Sequence, residues 1–235
     1  MVSADPAAGI LVTSRPLDEY CGLFGLTRRA LCAALAAGPL LDCPGGAAAL
    51  VAEVRHLGGR AVAVDPEYAR MARMEARARA GRDAMAAHAR AAPEISTAAL
   101  SGRPEAYLRS WDRARELFAA DVTDHPEDYV AAALPRLPFR GGTFGLTLSS
   151  YLLFAYPEVF GPAEQLAGLL ELVRVTAPGG EVRVYPLHDS AGRRSPHLDR
   201  VRRSLGHHRV GSSLLRLPGP GGRPRTVLVL KRAAR

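Results

Sequence analysis

The sequence of 235 residues lacks the features that mark several special classes of protein. It has no uninterrupted apolar run of about 18 residues, so no membrane-spanning helix is expected. Its first ten residues contain no basic segment leading into an apolar run, which argues against a secretory signal. With 48% hydrophobic and 23% charged residues, the composition is that of an ordinary globular protein. We therefore expect a cytoplasmic protein with one main domain.

Cysteine is also scarce. Cys21, Cys32 and Cys43 are too few for a disulfide framework, and they lack the C-x-x-C pairs that structural zinc sites use. His207 and His208 have no further ligand at metal-binding spacing. No metal site is expected, and the three cysteines are expected to be small buried residues.

Lysine is almost absent, because 30 of the 31 basic residues are arginine. The positive charge is concentrated at one end: residues 188–235 carry a net charge of +10 and residues 1–187 a net charge of −2. A region of this kind can bind phosphate groups, or it can simply be a solvated surface. It contains no Phe, Trp or Tyr on which bases could stack, so nucleic acid is not the favoured partner.

Apolar segments of strand and helix character alternate along the chain. Residues 1–36 are expected to form a helical cap, because apolar residues recur there at helical intervals. Strands are predicted at 39–42, 61–64, 129–133, 144–149 and 182–185, helices at 47–56, 67–92, 104–120 and 162–175, and a terminal hairpin at 209–217 and 226–230.

This order predicts an α/β fold. We expect a seven-stranded, mostly parallel, doubly wound sheet with an antiparallel C-terminal hairpin and a helical N-terminal cap. The main domain is predicted to span residues 37–235, with a helical insertion at about 67–128.

A glycine turn follows the first predicted strand, and an acidic residue ends the second. Residues 40–46 read Leu-Leu-Asp-Cys-Pro-Gly-Gly, and Asp65 follows the strand at 61–64. A glycine turn lets the backbone approach a ligand closely, and a carboxylate at the second strand can accept both hydroxyls of a ribose. The pattern predicts a nucleoside site, although Asp65 and Asp42 could each instead cap a helix.

The residues around this turn do not favour a dinucleotide. Pro44 and Ala49 occupy two glycine positions of the G-x-G-x-x-G motif, and Asp42 would repel a pyrophosphate. A cationic nucleoside would suit Asp42 better. S-adenosylmethionine is such a ligand, since it carries a sulfonium and an ammonium group and no phosphate.

At these positions the sequence resembles the class I S-adenosylmethionine-dependent methyltransferases. Residues 41–48 resemble their first motif, 61–65 their second strand with its ribose-binding acid, 137–146 the approach to their fourth strand, and 171–180 the helix and turn before their fifth. The matches occur in the family's order over roughly residues 38–187. The sequence departs from the family at Pro44 and Ala48, which replace glycines, at Ala133, which replaces an acid, and at Gly145, which replaces an aspartate.

The resemblance implies a methyltransferase that uses S-adenosylmethionine, and it implies a role for each matching residue. Residues around the amino-acid end of the cofactor would be Asp42, Cys43, Pro44, Gly45 and Gly46. The ribose would be held by Asp65, the adenine contacted by Pro66, Ala133 and Leu134, and the methionine moiety bordered by Ser149 and Ser150.

Methyl transfer is an in-line displacement, in which alignment lowers much of the barrier and a base acts only where the acceptor loses a proton. The N-P-P-Y and Pro-Cys signatures of two nucleic-acid methyltransferase classes are absent after the fourth strand. We therefore expect transfer to an O or N atom of a small molecule. His188 is the candidate base, and the candidates for a substrate-pocket wall are Tyr20, Phe24, Tyr151 and Tyr156.

Two other functions remain open. One is a methyltransferase acting on RNA or another polyanion through the basic C-terminal region. The other is a non-catalytic binding or scaffold protein that retains the methyltransferase-like sheet.

Overall fold

Seven strands form a single sheet in the computed structural model, which describes residues 9–93, 96, 101–189, 191–219, 222 and 224–232. The strands are β1 Leu40–Asp42, β2 Ala61–Val64, β3 Tyr129–Val130, β4 Phe144–Ser150, β5 Thr176–Tyr185, β6 Val210–Leu217 and β7 Arg225–Arg232. Their order in the sheet is β3-β2-β1-β4-β5-β7-β6. Strands β1 to β5 are parallel, and β7 runs antiparallel to both β5 and β6. The mixed sheet with its antiparallel C-terminal hairpin is confirmed.

Seven α-helices surround the sheet in the described ranges. They are α1 Leu17–Phe24, α2 Arg28–Ala37, α3 Leu50–His56, α4 Met71–Ala91, α5 Pro104–Asp124, α6 Pro162–Val175 and α7 Leu198–His207, with short 3-10 helices at Pro66–Ala69 and Pro126–Asp128. None of the described helices is long and apolar enough to cross a membrane.

The two faces of the sheet bury two separate clusters of apolar side chains. Leu40 and Leu41 are consecutive on β1 and belong to different clusters, because successive side chains of a strand point to opposite faces. Helices α1 to α5 contribute to the cluster around Leu40, and α6 and α7 to the one around Leu41. The helices on both faces give the doubly wound architecture and leave the ends of the strands free to form a site.

Helix α7 was not predicted. Its apolar residues Leu198, Val201 and Leu205 are buried at helical spacing, but they stand among polar and arginine residues that masked the pattern. The predicted helix at 67–92 is interrupted at Arg70, which separates the 3-10 helix at Pro66–Ala69 from α4. The predicted third strand is shorter, since β3 has only two residues.

The fifth strand begins earlier than predicted. Pro178-Gly179-Gly180 lies within β5 instead of ending the preceding helix, and the pairing with β4 shifts between Phe144 and Leu146. A Cβ on Gly180 would be 2.6 Å from the carbonyl oxygen of Gly145, so the two backbones touch there. The glycines accommodate a bulge in β5. The sequence pattern predicted a turn at this place.

Gly145 has a second close neighbour. A Cβ on Gly145 would lie 3.1 Å from the backbone nitrogen of Gly38 and 3.2 Å from the carbonyl oxygen of Ala34. The end of α2 thus packs directly on the backbone of β4. This contact gives a steric reason for a glycine at position 145.

Candidate functional site

A cavity of about 270 Å³ lies where the carboxyl ends of β1, β2 and β4 meet. This is the edge at which doubly wound sheets bind their ligands. Its wall is formed by residues 10–13, by Cys43, Pro44 and Gly46, by residues 64–67, by residues 132–134, by residues 150–152, and by Arg77, Val159 and Phe160.

The structure brings nine of the predicted site residues together on this wall. They are Cys43, Pro44, Gly46, Asp65, Pro66, Ala133, Leu134, Ser150 and Tyr151. Three others, Asp42, Gly45 and Ser149, are buried beside the lining residues. Tyr20 and Phe24 are buried in the core, and Tyr156 and His188 are half-buried and do not line this cavity.

Asp65 joins the glycine turn to the end of β2. Its Oδ2 accepts a 3.1 Å hydrogen bond from the Gly46 backbone nitrogen, and its Oδ1 accepts a 2.9 Å bond from that of Glu67. Asp65 therefore caps the 3-10 helix and also lines the cavity. Burial raises the pKa of Asp65, against the opposing effect of the two N–H donors.

A second carboxylate on the cavity wall was missed by sequence reasoning. Glu67 is 7% exposed, and its Oε1 lies 2.6 Å from Nη1 of Arg77. Nη2 of Arg77 donates to the carbonyl oxygen of Ile10, and Nε of Arg73 lies 3.1 Å from Glu67 Oε2. One guanidinium thus connects a cavity carboxylate with the N-terminal segment.

That N-terminal segment, residues 10–16, contains no helix or strand; we call it the strap, and its residues 10–13 line the cavity. The backbone nitrogens of Ala47 and Ala49 donate 3.0 Å hydrogen bonds to the carbonyl oxygens of Thr13 and Arg15. The Leu11 nitrogen donates to the hydroxyl of Tyr156 at 3.0 Å. Residues 1–36 were predicted to be helical, but the described part before α1 is this strap. The only sequence signal for it is the apolar run at positions 10–12.

Behind the turn, the cap reaches the acid at the end of β1. The hydroxyl of Tyr20 donates a 2.7 Å hydrogen bond to Asp42 Oδ2, whereas the buried Oδ1 has no hydrogen-bond partner among the described residues. Burial raises the pKa of Asp42 to about 8, although Tyr20 and Arg15 oppose the shift. The protonated form of this carboxyl is therefore favoured near neutral pH.

A buried ion pair within the cap contacts α5 of the insertion. Arg15 is 1% exposed, and its Nε lies 2.9 Å from Glu19 Oε1. The guanidinium carbon is 4.1 Å from the ring centroid of Tyr151 and 5.1 Å from that of Trp111, both within the range of a cation–π contact. Glu19 also accepts hydrogen bonds from Tyr107 and Trp111 of α5, at 2.7 and 2.9 Å.

Tyr151 adopts an unusual backbone conformation at the end of β4. Its φ of 50° is left-handed, which is costly for an aromatic residue, and its nitrogen donates a 2.7 Å hydrogen bond to the Tyr185 carbonyl oxygen. Such strain is typical of functional sites.

His188 packs edge-on against Tyr185, and its Nδ1 is 2.9 Å from the carbonyl oxygen of Asp189.

No protein-family model matches the chain, and no curated protein matches it either. Solved structures do. The 1,6-didemethyltoxoflavin-N1-methyltransferase of Burkholderia thailandensis, solved with 1,6-didemethyltoxoflavin and S-adenosylhomocysteine, is 16% identical with a TM-score of 0.49, over 88% of this chain and 78% of the other. Magnesium protoporphyrin IX methyltransferase of Synechocystis, solved with bound S-adenosylmethionine, is 11% identical with a TM-score of 0.43, over 92% and 82%.

An rRNA methylase of Streptococcus thermophilus is 8% identical with a TM-score of 0.41, over 84% of this chain and 87% of the other. The feature that decides the fold is the strand order, in which a reversed seventh strand lies between the fifth and sixth. The chain has the class I methyltransferase fold.

Within this methyltransferase fold, the chemistry of the cavity suits a nucleoside without phosphate. Two carboxylates, Asp65 and Glu67, line it, and its one lining arginine, Arg77, is already paired with Glu67. A phosphate would be repelled there, whereas ribose hydroxyls can donate to carboxylates. The orphaned Oδ1 of Asp42 offers a further acceptor once that carboxyl loses its proton. The residues present therefore fit S-adenosylmethionine.

Proposed function

We propose that the protein is an S-adenosylmethionine-dependent methyltransferase that transfers a methyl group to an O or N atom of a small molecule. The observation that carries the proposal is the placement of Asp65. Its carboxylate lies on the wall of a cavity at the ligand-binding edge of the sheet and is oriented by the backbone N–H groups of Gly46 and Glu67. This arrangement is suited to holding the two hydroxyls of a ribose.

The residues on the wall divide into groups of different chemistry. Asp65 and Glu67 would hold the ribose, and the apolar side chains of Pro66, Ala133 and Leu134 would enclose the adenine. The turn Cys43–Gly46 and Ser150, with Asp42 behind them, would surround the amino-acid end. When bound, S-adenosylmethionine supplies the methyl group on its sulfonium sulfur.

The contribution of the chain to catalysis is alignment and exclusion of water. Methyl transfer needs the acceptor atom in line with the bond that breaks, and orientation alone lowers the barrier substantially. Tyr151 and Phe160 are the aromatic residues on the cavity wall, and the Arg15 guanidinium makes a cation–π contact with the Tyr151 ring. The role of His188 as a general base stays a prediction. His188 does not line this wall, and its Nδ1 is in contact with the carbonyl oxygen of Asp189.

The packing of side chains beside Tyr151 favours a small acceptor. The cap and α5 are tied together by the Arg15–Glu19 pair and by the bonds from Tyr107 and Trp111. These groups place packed side chains beside Tyr151, which suits a small molecule better than a nucleotide within a folded RNA.

An RNA or other polyanion acceptor is the competing function, and one observation favours it. Residues 200–232 contain no Asp or Glu, and Arg200, Arg203 and Arg209 are exposed. If this surface bound an RNA acceptor, affinity would fall steeply between low and moderate salt, because bound phosphates release counterions. Affinity for an uncharged acceptor would change little over the same range.

Calorimetric titration with S-adenosylmethionine and S-adenosylhomocysteine tests the proposal. We expect about one site per chain, with affinity weakened by roughly 1–3 kcal/mol in Asp65→Ala through the lost charge-assisted hydrogen bonds. Asp83→Ala is the matched control, since the Asp83 side chain is 77% exposed on α4.

Three results would count against the proposal or redirect it. Wild-type protein that does not bind at millimolar ligand would contradict it. Unchanged affinity in Asp65→Ala, with lower thermal stability, would leave Asp65 as a helix cap only. Binding without transfer to any acceptor tried would support the non-catalytic alternative.

A further inference from the structure

Helix α4 presents two residues one turn apart to the strap. Arg77 donates to the carbonyl oxygen of Ile10, and Gly81 faces that of Val12. A Cβ at position 81 would lie 2.0 Å from the Val12 oxygen, so no other residue fits without moving the strap. Glycine is unfavourable in the interior of a helix of 21 residues, and this contact supplies a reason for it.

The glycine turn holds the strap from the opposite side. A Cβ on Gly46, whose φ is 56°, would lie 2.7 Å from the carbonyl oxygen of Thr13. The next N–H group, that of Ala47, donates to the same oxygen. Gly81 on α4 and Gly46 in the turn after β1 therefore make room for two carbonyl groups of the strap.

The strap is also part of the cavity. Residues 10–13 line it together with Glu67 and Arg77, and Arg77 bonds both Glu67 and the strap. The hydroxyl of Tyr156, after β4, accepts from Leu11 and anchors the segment on a third side. A ligand in the cavity would therefore lie against residues 10–13, which contact α4, the glycine turn and Tyr156.

We propose that Gly81 and Arg77 are positioning residues that hold residues 10–13 across the cavity, so that release of this strap sets the rate at which the nucleoside product leaves. The inference rests on the proposed function, because it takes the product to be S-adenosylhomocysteine. It assigns a role to α4, which belongs to the insertion and has no counterpart among the motifs of the sequence.

A matched pair of glycine substitutions tests the role of Gly81. In Gly81→Ala the added methyl group must displace the strap, and we expect S-adenosylhomocysteine to dissociate about tenfold faster or more, since changes in affinity appear mainly in the dissociation rate. In Gly206→Ala, on α7, the new Cβ meets no atom within 4 Å, and the dissociation rate should not change. Surface plasmon resonance with protein immobilised through its C-terminus measures both.

Variants at Tyr156 and Arg77 keep the test decisive if Gly81→Ala does not fold. Tyr156→Phe removes only the hydroxyl that accepts from Leu11, and Tyr129→Phe removes a hydroxyl bonded to Asp121, away from the cavity wall. The first should speed dissociation and the second should not. Arg77→Met should speed it as well, and Arg77→Lys, which keeps a donor for the strap, should restore a slower rate.

Hydrogen exchange in the free protein separates failure of this inference from failure of the proposed function. The amides of Ala47 and Ala49 donate to the strap, so they should exchange faster in Gly81→Ala and unchanged in Gly206→Ala. Equal exchange and equal dissociation in the two glycine variants would overturn the inference. If wild-type protein does not bind S-adenosylhomocysteine, the proposed function fails, while faster exchange in Gly81→Ala still supports its role in holding the strap.

Discussion

The hydroxyl of Tyr20 and the carboxyl of Asp42 are joined by a 2.7 Å hydrogen bond, and each residue is only 1% exposed. The contact places a side chain of the N-terminal cap directly on the acid that ends β1. A cavity wall formed by the sheet is thus supported from behind by α1. Because burial raises the pKa of Asp42 to about 8, the protonated carboxyl is favoured near neutral pH.

The stability of the protein should depend on pH through Asp42. Between its ordinary pKa of 3.8 and about 8, the folded protein holds a proton that the unfolded chain has released. The stability contribution of this carboxyl is therefore present at low pH and is lost as the pH rises through this window, by up to about 1.4 kcal/mol per pH unit.

Asp42→Asn should remove that slope, because the amide keeps an acceptor for Tyr20 and cannot ionise. Urea unfolding between pH 5 and pH 9 measures the free energy of unfolding of both proteins. Asp18→Asn is the control, since the side chain of Asp18 is 81% exposed. An Asp42→Asn protein with the slope of the wild type would show that another group is responsible.

Arg15→Met should destabilise the protein by about 3–5 kcal/mol, because it leaves the carboxylate of Glu19 buried without its charged partner. Arg28→Met provides the comparison: Arg28 lies 2.9 Å from Asp18, but both side chains are more than half exposed, so the loss should be less than about 1 kcal/mol. Denaturant unfolding gives both values. Equal losses would mean that the buried pair contributes no more than a surface one.

Gly145→Ala should cost about 1–3 kcal/mol, because the new methyl group presses on backbone atoms of Gly38 and Ala34 that cannot rotate away. Gly22→Ala in α1, where a Cβ meets nothing within 4 Å, should instead gain up to about 1 kcal/mol from helix propensity. Thermal unfolding of the two variants measures the contrast. A stable Gly145→Ala protein would contradict the steric explanation for glycine at this position.

Most of the architecture could be predicted from the sequence, because the local residue pattern of most elements agrees with the structure that they adopt. The strand at Ala61–Val64 and the helix at Pro162–Val175 were predicted to the residue, since an apolar run and a strong helical period mark them. The break at Arg70 and the bulge in β5 were not predicted. Both depend on contacts with other elements, such as the approach of Gly180 to Gly145, which leave no periodic trace.

The residues of the candidate site could be predicted from the sequence only where they follow a strand. The turn ending at Gly46 and Asp65 were found because their positions relative to strands carry meaning in this architecture. Glu67 and Arg77 were not, since they reach the cavity from a 3-10 helix and from α4. The contact of Arg77 with Ile10 joins residues 67 positions apart, and no local sequence pattern predicts it.

Trp111 is the single tryptophan of the chain, and it lies at the boundary between the cap and the insertion. Its indole is buried, bonded to Glu19 and stacked near the guanidinium of Arg15. The protein therefore contains its own optical probe of this boundary. Separation of the cap from α5 would hydrate the indole and shift its emission to longer wavelength, whereas rearrangement of the remote hairpin would leave the emission unchanged.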